Sequence, residues 1–166
     1  RYAMDDHLKV SGFWGQIPCF TFMGRRNGVD LVGEKMSPNA ARQVLKTVAE
    51  EFELEGVSLL ALNSNKNGQS HYVALFSGQQ PASSAARQQL NIAVEQILQG
   101  HFHYALARDL QQLLPAQAIV VDDGWKFYQE LAMAAGMIEG NIKPEALRKM
   151  AKDVFVTFTE KNDEAA

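Results

Sequence analysis

At 166 residues, with 46% apolar and 21% charged side chains, the chain has the length of one domain and an ordinary folded composition, which excludes a disordered, fibrous or low-complexity polypeptide. A net charge of -3 argues against a surface for nucleic acid or anionic lipid, since either needs a basic excess. The single cysteine, Cys19, excludes an internal disulfide and a Cys-based zinc site and fits a reducing, cytoplasmic compartment, and no run approaches ~20 consecutive apolar residues.

The opening "RYAMDDHLKV" lacks an initiating methionine and a signal-peptide core, so it reads as the continuation of a longer chain. In "IPCFTFM", Phe20 and Phe22 alternate with Cys19 and Thr21, as in a half-buried strand, and Val29 to Lys35 follows the same pattern. Asn27-Gly28 between them predicts a hairpin turn, because both residues tolerate positive φ. Gly28, Gly33 and Lys35 come close to the spacing of a phosphate-binding loop, but "VDLV" is apolar and β-branched, and strand pairing would occupy the N–H groups a phosphate needs. Ser37-Pro38 predicts a helix start, with Ala41, Val44, Leu45, Val48 and Phe52 on its buried face and Gly56 at its end.

Residues 57–63 and 71–77 read as an antiparallel strand pair joined by an Asn/Ser/Gly loop. Ser83-Ser84 starts a helix with Leu90, Ala93, Val94, Ile97 and Leu98 inward, stopping near Gly100, and another helix covers 102–114. "AIVV" (118–121) is a strand. The next helix carries Trp125, Phe127, Tyr128, Leu131 and Met133 up to Gly136. Pro144 biases Lys143 away from helical geometry and places it on a loop. A last helix from Pro144 carries Leu147, Met150, Ala151 and Val154, with "VFVTFT" readable as a strand instead. The expected fold class is α+β, a small mixed sheet packed with helices and preceded by a β-hairpin, with residues 161–166 a disordered tail.

Chemistry-bearing clusters are sparse. His101 and His103, two apart on a helix, diverge, and no third ligand lies at a useful offset, so no metal site is expected. Asp122-Asp123 could be an acid/base pair but suits a turn and helix start. Trp125, Phe127 and Tyr128 could stack a base but suit a core. Ser37, Ser83 and Ser84 read as caps. Lys143 by itself is one solvated lysine among many.

The ordered run Tyr2, Asp6, Val10, Gly12, Phe13, Pro18, Phe22, Arg25 and Gly33-Glu34-Lys35 resembles the junction of large and small domains in acyl-adenylate-forming enzymes. "HYALARDLQQLLPAQAIVVDDGWKFYQ" and "GNIKP" extend the resemblance over nearly the whole chain. Within that superfamily the pattern is most similar to the auxin-responsive acyl-acid amido synthetases of plants and their bacterial relatives.

The resemblance implies residues 1–26 as terminal strands of a large N-terminal domain and 27–160 as a C-terminal lid that would dock on it. It implies ATP and Mg2+ as cofactors, bound mainly by that large domain, and a carboxylic acid activated as acyl-adenylate before transfer to an amino acid amine. Lys143 falls on the catalytic lysine that approaches the α-phosphate. Asp6 and Arg25 fall on ribose or phosphate ligands, Asn27-Gly28 on the hinge, and Glu34 and Lys35 on a loop that faces the nucleotide in one lid orientation. Ala3 and Asp5 stand where the family has arginine and glycine, which makes Asp5 an alternative ribose ligand. Two other readings are a lid of an acyl-CoA ligase and a non-catalytic α+β interaction module.

Overall fold

The computed structural model describes residues 6–25, 28–64 and 70–163, with only the backbone at Asp6, His7, 22–25 and 162–163. Two strands, β1 (Asp6–Trp14) and β2 (Ile17–Arg25), form an antiparallel hairpin. After it come α1 (Pro38–Phe52), β3 (Glu55–Asn63), β4 (His71–Ser77), α2 (Ser84–Gln99), α3 (Phe102–Asp109), β5 (Gln117–Val121), α4 (Gly124–Ala134), β6 (Leu147–Ala151) and α5 (Lys152–Asp163). The second sheet has the order β5-β4-β3-β6, with β3 and β4 antiparallel and both edge strands added in parallel. The fold is α+β, as expected.

Helices cover both faces of this sheet. Leu59, Ala61, Tyr72, Ala74 and Phe76 pack with α1, α2 and α3, while Leu60, Leu62, Val73 and Leu75 pack with α4 and α5. Burial on both sides explains why β3 and β4 read as near-continuous apolar runs instead of alternating ones. Helix starts are set locally: Ser37 Oγ accepts from Ala40 N at 3.1 Å, Ser83 Oγ from Ala86 N at 3.1 Å, and Asp123 Oδ1 from Lys126 N at 2.9 Å.

Several expectations are corrected. The hairpin turns at Gly15, with φ 63, and joins β1 to β2; Val29–Lys35 is a loop that touches the Val29↔Met36 bridge and no ladder. The reason is local competition: the carboxylates of Asp30 and Glu34 take the N–H groups of Leu31, Val32 and Gly33 that a strand would offer. Asn27 lies outside the described residues. The strand at Ile17 exists but is not half-buried, since Ile17 and Phe20 are exposed, as are Phe13 and Trp14.

Helix α1 ends at Glu53, which enters the left-handed region (φ 55) and donates its N–H to Ala49 O. Gly56 belongs to β3, where a Cβ would come 2.9 Å from Leu45 Cβ. At the C-terminus the two elements are exchanged, Leu147–Ala151 being strand and 152–163 helix. Leu147 and Met150, three apart, would share a face on a helix; as a strand they enter the two opposite cores.

Candidate functional site

After α4 the chain turns at Gly136 (φ 87), passes a short 3-10 turn at Glu139–Asn141 and buries Ile142, which leaves Lys143 exposed immediately beyond. The loop is fastened through its carbonyls. Tyr128 Oη donates to Lys143 O at 3.3 Å, Ser58 Oγ to Glu145 O at 2.7 Å, and Leu59 N to Ala146 O at 2.8 Å.

Tyr128 is itself held, with Trp125 stacked on its ring at 5.4 Å and Arg148 above it at 5.5 Å. Arg148 Nη1 donates to Tyr128 Oη at 3.1 Å and approaches Glu145 Oε2 at 3.5 Å. Burial pushes the Tyr128 phenol above its ordinary value despite Arg148, so at neutral pH it keeps the proton it donates.

Beside this loop lies a cavity of about 300 Å³ with Pro144 and Ala146 on one wall and Arg42 and Lys46 of α1 on the other. Arg42 is hydrogen-bonded to Asn39 Oδ1 at 2.6 Å, and Lys46 lies 3.7 Å from Glu50 in an exposed pair that contributes little stability. Sequence reading passed over these two cations. Their i,i+4 spacing on the solvent side of α1 was the available signal, but only the fold brings that side to Pro144.

Glu34 and Lys35 lie elsewhere, at a cavity of about 280 Å³ whose wall includes neither Lys143 nor Pro144. Glu34 is 4% exposed. Its carboxylate accepts from Leu31 N at 2.8 Å, from Val32 N at 2.8 Å and from Tyr72 Oη. Burial, reinforced by Glu34, pushes the Tyr72 phenol far above its ordinary value and keeps it a donor. Lys35 stands exposed with φ 49, a left-handed conformation unusual outside glycine. Lys149 Nζ of β6 donates to Asp30 O at 3.4 Å, which ties this loop to the sheet edge.

Asp6 and Arg25 are cross-strand partners at the open end of the hairpin; Asp5 lies outside the described residues. His101 precedes α3 and His103 lies in its first turn. Asp123 is the cap of α4, Tyr128 is core, and Trp125 and Phe127 line its margin against Tyr128 and Phe158. Among the described residues, no group of three or more His, Cys, Asp and Glu is arranged to hold a metal, and no helix is long and apolar enough to cross a membrane.

No protein-family profile and no curated protein matches the chain. Solved structures do. GH3.15 acyl acid amido synthetase aligns over 96% of this chain and 30% of its own, with a TM-score of 0.60 at 18% identity. AtGH3.15 acyl acid amido synthetase in complex with 2,4-DB aligns over 95% and 29%, with 0.58 and 16%. The chain thus has the fold of a segment of such a synthetase and spans about a third of its length. The resemblance read from the sequence holds at the level of the fold.

Proposed function

We propose that this chain is the C-terminal lid of an ATP-dependent, AMP-forming acyl-acid ligase that activates a carboxylic acid as its adenylate and passes the acyl group to an amino acid amine. The supporting observation is the near-complete structural overlap with an acyl acid amido synthetase, combined with an exposed Lys143 on a loop fastened through its own carbonyl.

In this reading the carboxylate oxygen attacks the α-phosphorus, the bond to the pyrophosphate oxygen breaks, and negative charge rises on the phosphoryl oxygens. The Lys143 ammonium, a compact charge on a flexible stem, hydrogen-bonds those oxygens when the lid closes. Arg42 and Lys46, lining a cavity with Pro144, add positive potential beside the Lys143 loop and guide the polyphosphate toward it. Asp6 and Arg25, paired across the hairpin, hold the ribose hydroxyls and a phosphate oxygen. Lys35 reaches the nucleotide in the second lid orientation, with Glu34 setting the loop that carries it. The amine then attacks the acyl carbon and AMP leaves.

Mg2+ enters with ATP on the large N-terminal domain. The enzyme works in the cytoplasm, and the 166-residue chain alone has negligible turnover.

Pyrophosphate exchange in the longer protein tests the proposal. Lys143→Ala should slow adenylate formation by about 10²–10³-fold, the scale of one lost oxyanion donor, with little change in ATP KM. Undiminished exchange would remove Lys143 from the reaction.

A further inference from the structure

The cavity beside Lys35 lies apart from the Lys143 loop. We propose that it binds a small oxyanion, a carboxylate or a phosphate group, between the Lys35 ammonium and the imidazoles of His101 and His103. Its volume is about 280 Å³, and its polar lining comes from the Glu34–Ser37 loop and from the start of α3. The titratable groups in the wall are Glu34, Lys35, His101 and His103. The Glu34 oxygens are engaged by Leu31 N, Val32 N and the buried Tyr72 hydroxyl, so Glu34 offers the cavity no donor and its charge is the one unfavourable contribution an anion would meet.

Lys35, His101 and His103 border one cavity, each with a hydrogen-bond donor, and come from segments more than sixty residues apart. His101 sits at the position before α3 where a side chain ordinarily caps the helix, and it makes no cap hydrogen bond. His103 packs edge-on against Phe102, ring centroids 5.2 Å apart at 75°, which orients its imidazole. Lys35 lies at φ 49 on the loop that Glu34 fastens, and it lines the same cavity as the two histidines. Phe102 is 74% exposed at the mouth and offers an apolar shelf to a carbon skeleton behind a carboxylate.

The histidine pair that makes no sense as a metal site is well placed for this role. A metal ion needs further ligands at fixed distances, whereas an oxyanion in the cavity can be met by whichever of these imidazoles and the Lys35 ammonium reach it.

The test uses the 166-residue chain alone and therefore does not depend on any ligase activity. Imidazole signals are followed by NMR during titration with pyrophosphate in one arm and glutamate in the other, at constant ionic strength. Saturable shifts of His101 and His103, with His7 and His71 unmoved, are expected in at least one arm; the responding arm identifies the phosphate or the carboxylate source. Lys35→Ala and the double variant His101→Ala, His103→Ala should each weaken that binding by roughly fivefold or more while circular dichroism stays unchanged. Non-saturating shifts shared by all four histidines, or full-strength binding in the double variant, would overturn the site.

Discussion

Lys35 and Lys143 both stand exposed on loops, and the two loops are fastened by different means. Around Lys35 the anchor is a neighbouring side chain: the buried Glu34 carboxylate gathers two backbone N–H groups and the Tyr72 hydroxyl. Around Lys143 the anchors are backbone carbonyls, received by Tyr128, Ser58 and the β3 amide of Leu59. A side-chain anchor can be removed by one substitution, whereas a loop held through its carbonyls keeps most of its fastening whichever single side chain is changed. The first loop is therefore fragile and the second robust.

The largest effect should come from Glu34→Ala. It strands two amides and a buried phenol, and a loss of about 2–3 kcal/mol in urea unfolding is expected. A variant as stable as the parent would show that the acid does not fasten the loop. Tyr128→Phe should be milder, about 1 kcal/mol, because Ser58 and Leu59 still hold the Lys143 loop. In the longer protein it should lower the adenylation rate a few-fold with ATP KM unchanged. An effect as large as that of Lys143→Ala would mean that the carbonyl anchors are not shared.

Glu95 gives a control outside both loops. Burial raises its pKa, but Arg108 at 2.6 Å, the Ala116 amide, Tyr104 and Gln99 outweigh burial and hold the carboxyl below its ordinary value of 4.5. A lowered folded pKa means stability present above that ordinary value and lost as pH falls through the folded one. Unfolding free energy should therefore drop below pH 4.5 in the parent and less steeply in Glu95→Gln. Equal acid slopes would assign the loss to other carboxylates. The smallest effect expected is from Arg42→Ala, a roughly two- to fivefold rise in ATP KM with stability unchanged, since its cation acts through potential at a rim.

What the sequence disclosed follows from the range of each interaction. Ser37 and Ser83 were legible as caps, and Asp122-Asp123 as a turn and helix start, because a cap bonds three residues away. The strands 57–63 and 71–77 were legible because their apolar runs are long and their loop is polar. Glu34 was not, because its partner Tyr72 lies 38 residues on and nothing local marks an acid for burial. Residues 147–151 were misread because their apolar spacing suits a helix as well as a strand, and only the parallel pairing with Leu59–Asn63 decides. Lys143 was correctly placed on a loop by Pro144. Arg42 and Lys46, which line a cavity with Pro144 and Ala146, emerged only when the fold laid α1 against that loop.

The most direct measurement is a structure of the longer protein with an adenylate analogue bound. The account predicts Lys143 Nζ about 3 Å from an α-phosphate oxygen, with Arg42 and Lys46 on the same side of the nucleotide. A closed complex in which another cation holds that phosphate and Lys143 faces solvent would contradict it.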